Sequence, residues 1–211
     1  MAFALSLAGC GSSPPPPPEE RLDPAALCAE AEKAPRTLLV LETPETKAAL
    51  EDAAKHGIAV VRFDGCELEV LRGCDGLGSY ASAPSSEDAR ELTIHDTRRA
   101  FAEGIVGAGR VERDLEQGRT LAIELRPATA LTAKAPPAML SGECAGATHW
   151  VRAIELGASS AELEARGDDA PRILTEHGEP AACGGARASD PASDRACRRP
   201  WAISLERIHA R

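Results

Sequence analysis

The sequence predicts an α+β fold: a mainly antiparallel sheet of eight or so strands, curled or partly closed, with two or three short helices, stapled by disulfides. Three observations predict it. Two proline-started helical segments fall within the first 56 residues. Beyond them, short runs alternate apolar and polar residues and are broken by Gly, Pro, Ser and Asp, the pattern of half-buried antiparallel strands. Six cysteines lie beyond residue 20, an even number that suits three disulfides in an oxidising compartment.

Asp23-Pro24 reads as a helix cap followed by proline at the first helical position, and Pro35 stops the helix, so residues 24–34 form a short helix carrying Cys28. Arg36 to Leu41 is a continuous apolar run and reads as a buried strand. Thr43-Pro44 repeats the start signal. Lys55 and His56 sit where the helix dipole favours cations, and Gly57 suits a left-handed cap, which predicts a helix over 44–56. Two strands, 58–63 and 66–71, flank Asp64-Gly65, a strong signal for a hairpin with a two-residue loop. In that register Phe63 faces Cys66, Arg62 faces Glu67, and Cys66 points inward with Val61, Phe63, Leu68 and Val70.

A short strand is expected near Tyr80, another over 91–95, then a helix capped by Asp96 and reaching about Glu103. Between Gly104 and Gly118, Phe101, Ile105, Ala108, Val111 and Leu115 have helical spacing, whereas Val111, Arg113 and Leu115 alternate. Glycines at 104, 107 and 109 disfavour one long helix, so a hairpin turning at Gln117-Gly118 into the strand 120–125 is the preferred reading. Residues 147–156 read as a strand that pairs with 161–164 across Gly157 to Ser160; 166–199 reads as loop, and 201–208 as a closing strand.

Ahead of this domain, Leu7-Ala8-Gly9-Cys10 resembles the lipobox of bacterial lipoproteins. The resemblance implies cleavage before Cys10, a diacylglycerol on its thiol and an acyl group on its new amine. Each buried methylene of such chains is worth ~0.8 kcal/mol, so two or three chains hold firmly. No Lys or Arg precedes Arg21, and the basic start of a signal peptide is expected upstream of Met1. Pro14 to Pro18 adopt polyproline II and span about 15 Å, enough to clear the head groups. The organisation read from the chain is therefore signal peptide 1–9, lipidated cysteine and tether 10–22, and one periplasmic domain 23–211. With the lipobox, Val60-Val61-Arg62-Phe63-Asp64-Gly65-Cys66-Glu67-Leu68-Glu69-Val70-Leu71 and Cys144-Ala145-Gly146-Ala147-Thr148-His149-Trp150-Val151 resemble an uncharacterised myxobacterial-type lipoprotein family. That resemblance implies an exported, acylated protein and no particular activity; the expected place is the bacterial cell envelope, lipid-anchored on the periplasmic face of the outer membrane.

The 211 residues leave room for one domain, whose core must be built from small residues because the chain holds only six aromatics. A net charge of −9 argues against nucleic acid and against an anionic bilayer surface, both of which are recognised by basic clusters. The expected membrane contact is through acyl chains only, and an envelope protein is the expected partner.

With Cys10 acylated, Cys28, Cys66, Cys74, Cys144, Cys183 and Cys197 remain for disulfides. Cys183 and Cys197 flank a turn-rich loop and are expected to pair. Cys66 and Cys74 lie about 25 Å apart if a strand joins them, so each should find a distant partner, Cys28 or Cys144. Their spacings match no zinc pattern, and neither metal nor cofactor is expected. Ser79, His95 and Asp96 have the residue types of a hydrolytic triad, yet the chain has no G-x-S-x-G elbow and no catalytic set is assigned. The glycines at 73, 76 and 78 lack the lysine of a phosphate loop. His149 and Trp150, inside the second motif, are the candidate binding residues. The expected function is a non-enzymatic binding or assembly module facing the periplasm; the alternative is a small hydrolase using His95 or His149.

Overall fold

The computed structural model describes residues 23–33, 37–41, 44–164, 170–177 and 197–208. Four α-helices lie among them: α1 (Pro24–Lys33), α2 (Pro44–His56), α3 (Thr97–Ala102) and α4 (Glu112–Glu116), with a 3₁₀ turn at Ala108–Arg110. The strands are β1 (Thr37–Leu39), β2 (Ile58–Phe63), β3 (Leu68–Gly76), β4 (Tyr80–Pro84), β5 (Arg90–Ile94), β6 (Leu121–Ala133), β7 (Leu140–Gly142), β8 (His149–Leu163), β9 (Arg172–His177) and β10 (Arg199–Arg207). They form one ten-stranded sheet in which every strand pair is antiparallel. Ten strands replace the expected eight or so, and four helices the expected two or three. The main order β1-β10-β8-β2-β3-β7 does not return to its first strand, so the sheet is not closed.

The organising strand is β8. Along one edge it pairs first with β10 and then with β9; along the other, first with β2 and then with β6. The expected hairpin at residues 157–160 is absent, and the strand runs straight through. Gly157 is there for a different reason: a Cβ on it would lie 2.1 Å from the Arg126 carbonyl oxygen. The glycine admits a close backbone neighbour beside Pro127, where the β6–β8 register slips.

The hairpin of β2 and β3 keeps its predicted faces and changes its loop. Phe63 pairs with Leu68 and Arg62 with Glu69, leaving Asp64 to Glu67 as a four-residue turn. The Asp64 carboxylate accepts from the backbone N–H of Cys66 at 2.9 Å and of Glu67 at 2.8 Å, which builds this longer turn. Those N–H donors, the one of Glu67 foremost, hold the Asp64 carboxyl below its usual range. Because the shift is two residues, Val61, Phe63 and Leu68 still face inward. Cys66 is half-buried in the turn and does not lie on the strand's inner face.

Between α3 and β6 the helical spacing prevails over the expected hairpin, and Phe101, Ile105, Ala108, Val111 and Leu115 are all buried. Gly104 and Gly107, both at φ 72°, break the run into short helical pieces. Gly57 does not adopt the left-handed cap; it is needed because a Cβ there would come within 2.7 Å of the Gly76 carbonyl.

The sheet buries apolar side chains on both faces. Leu38 and Val40 enter one core with Leu50, Val61, Phe63, Val151, Ile154 and Ile203, beneath α2. Leu39 and Leu41 enter the other with Phe101, Ile105, Val111, Leu115, Leu125 and Trp201, beneath α3 and α4. The apolar run 38–41 is continuous because both faces of that segment are covered.

Candidate functional site

The residues singled out from the sequence are placed apart. His149 opens β8, is 4 % exposed, and its Nδ1 lies 2.8 Å from Thr148 Oγ1. That hydroxyl also accepts from the Phe63 backbone N–H at 2.9 Å, and the Phe63 ring meets the imidazole edge-on at 5.8 Å. Burial lowers the His149 pKa, helped by the Arg207 guanidinium and opposed by Glu32. The pair Thr148–His149 therefore ties β2 to β8. Trp150 is buried and sits in the ladder opposite Val60 and Glu206.

His95 is exposed, with Nδ1 3.4 Å from Thr120 Oγ1. Asp96 caps α3, accepting from the Arg99 N–H at 2.8 Å. Ser79 precedes β4 at the far end of β6: Tyr80 pairs with Ala133 whereas Ile94 pairs with Leu121. At about 3.3 Å per residue, Ser79 and His95 lie ~40 Å apart, so the three triad-type residues do not converge.

Two disulfides tie the described residues: Cys28–Cys66 links α1 to the turn between β2 and β3, and Cys74–Cys144 links β3 to the loop before β8. Cys197 is also disulfide-bonded. Cys183 and Cys10 lie outside the described residues, as do the signal and tether. Among the described residues no group of three or more His, Cys, Asp or Glu could hold a metal, and no helix is long and apolar enough to cross a membrane.

The site that the geometry brings together lies under α2. A cleft of about 530 Å³ opens between Ala48, Glu51, Ala54 and Lys55 of that helix, Leu131 of β6, Ile154 and Leu156 of β8, and Arg198-Arg199-Pro200 at the start of β10. Its volume is in the range of small-molecule sites, roughly 300–1,000 Å³. The helix presents alanines where larger residues would fill the gap, and Leu131 and Ile154 are ladder partners that supply an apolar floor. The chain matches no protein-family model, no curated protein and no solved structure. The chemistry of the cleft is therefore read from its own residues.

Charged groups lie in and beside this cleft. Lys47, one residue before the lining residue Ala48, is fully buried, and its Nζ donates to the equally buried Ser159 Oγ at 3.4 Å. Burial, with Arg199 adding to it and Glu51 opposing, brings the Lys47 pKa down to about 8. Glu51 holds one carboxylate oxygen buried without a hydrogen bond among the described residues, and that oxygen is 4.0 Å from Arg199 Nε. Lys47 escaped the sequence reading because lysine is ordinarily a solvated helix residue. The signal was its spacing: Lys47, Leu50 and Ala54 follow i, i+3, i+7, which puts the lysine on the inward stripe. A second cleft, about 480 Å³, lies between α2 and β3, where Glu45, Glu69, Glu143 and Arg72 surround Ala49, Leu68 and Val70.

Proposed function

We propose that this chain is an envelope lipoprotein, acylated on Cys10 and held at the periplasmic face of the outer membrane, whose single domain is a non-enzymatic binding module. The observation that carries the binding reading is the cleft under α2: concave, floored by Leu131, Ile154 and Leu156, with the charged side chains of Glu51, Lys55, Arg198 and Arg199 also in its lining. This is the usual build of a small-molecule site. The histidines that a hydrolase would need have other work, His149 in the β2–β8 tie and His95 beside Thr120, which favours binding over bond cleavage.

Two variants test the parts of this reading separately. Cys10→Ala is expected to lose radiolabelled palmitate and to leave the membrane fraction; a Cys10→Ala protein that remains membrane-bound overturns the lipid anchor. Leu156→Glu places a carboxylate on the cleft floor. It is expected to lose the molecules that wild type retains through purification from detergent-solubilised envelope, with unchanged melting behaviour. Equal retention by both proteins overturns the assignment of the cleft.

A further inference from the structure

Resting on the cleft as the binding site, we propose that its ligand is an amphipathic anion: a single acyl chain lying along Leu131, Ile154 and Leu156, with a carboxylate head group against Arg199. The tail follows from the floor. Leu131 and Ile154 are paired across β6 and β8, and Leu156 stands two residues on, on the same side of the strand, so the three form a continuous apolar track beside the alanines of α2. Aliphatic side chains without an aromatic ring suit a flexible hydrocarbon.

The head group follows from the charge. The chain as a whole has 33 acidic and 24 basic residues, yet among the described residues that line the cleft Lys55, Arg198 and Arg199 stand beside the single carboxylate of Glu51. A local excess of cations in a low-dielectric wall attracts an anion more strongly than the same charges in open water. Arg199 meets Glu51 only at 4.0 Å, beyond hydrogen-bonding distance, so Glu51 offsets the guanidinium charge without occupying its donors. An arriving carboxylate can take the bidentate geometry that Glu51 does not.

The experiment titrates hexanoate, octanoate and decanoate into the acylated, disulfide-bonded protein in detergent-free nanodiscs, following the Leu131, Ile154 and Leu156 methyl resonances, with decanol and decyltrimethylammonium as head-group controls. Affinity is expected to rise roughly fourfold for each methylene that the cleft buries. Decanol should bind at least tenfold more weakly than decanoate, and the cation should not bind. Arg199→Gln should weaken decanoate about tenfold and leave decanol unchanged. Glu51→Gln should tighten decanoate severalfold, which a merely structural role for Glu51 does not predict. Equal binding of decanoate and decanol overturns the proposal in favour of a neutral apolar ligand, and preference for the cation overturns it outright. Failure of all five amphiphiles to shift the methyl resonances also overturns it, in favour of a cleft filled by a protein segment. If Leu156→Glu still abolishes retention from the envelope in that case, the binding-site reading stands and only the ligand class falls.

Discussion

On the face covered by α3 and α4 the sheet meets Phe101, Ile105, Val111 and Leu115; on the face covered by α2 it meets Ala49, Leu50, Ala53, Ala54 and a lysine. Both faces belong to the same strands, and β1 and β10 contribute to each. The difference lies in the size of what the helices bring. Large side chains fill one side. A helix of small ones cannot fill the other, so a cleft remains and a polar pair, Lys47 and Ser159, is enclosed beside it. The filled face stabilises the domain, and the underfilled face leaves space that a ligand can use.

The largest expected contrast comes from volume. Phe101→Ala on the filled face should cost about 3–5 kcal/mol in denaturant unfolding, because a close-packed core does not collapse around the loss. Ala54→Leu on the α2 face should change stability by less than about 1 kcal/mol while closing the cleft to ligand. A large loss from Ala54→Leu would show that the α2 face is as tightly packed as the other. Next in size, the double variant Cys28→Ser/Cys66→Ser should lose about 2–4 kcal/mol, measured the same way, because the bond closes a loop with a sequence separation of 38.

The buried lysine distinguishes the faces by pH. In the fold its pKa is about 8 against 10.5 for the unfolded chain, so between these values the unfolded state holds more protons and stability rises with pH. The gain is on the order of 3 kcal/mol by pH 10.5, and Lys47→Met should flatten that rise in melts taken at stepped pH. The phenol of Tyr80 acts in the opposite direction higher up. Burial raises its pKa above 10 while its hydroxyl donates to the Val151 carbonyl at 2.8 Å, so stability falls once the unfolded tyrosine ionises. A maximum near pH 10 is therefore expected. The smallest effect belongs to His149, whose folded pKa lies below 6.5: as pH falls through 6.5 the unfolded chain protonates first and stability declines. His149→Asn should remove that acid slope, read from the same melts.

Local signals made much of this legible beforehand. Cap-and-proline starts marked α1 and α2, Asp96 marked α3, and alternation marked β2, β5 and β10, because each depends on residues within a few positions. What the sequence concealed depends on neighbours distant in the chain. Gly157 looked like a turn because its reason, the Arg126 carbonyl, is some thirty positions away. The Asp64-Gly65 signal located the hairpin but not its loop length, which the Asp64 carboxylate decides by bonding two successive N–H groups. In the candidate site, His149 and Trp150 drew attention by their place in the second motif, whereas the cleft owes its space to alanines, whose contribution is the room that they leave.

The Cys28–Cys66 bond has a mechanical consequence. Tension applied along the chain between its N-terminal side and the body of the domain reaches Cys28 and crosses directly to Cys66, bypassing the 37 residues between them. That protected loop contains β1, α2 and β2, including every residue that the helix contributes to the cleft. The second bond, Cys74–Cys144, likewise relieves the segment from β4 through β7. A domain pulled through its N-terminus would therefore transmit the load from one disulfide to the next along β3, and the roof of the cleft would carry almost none of it.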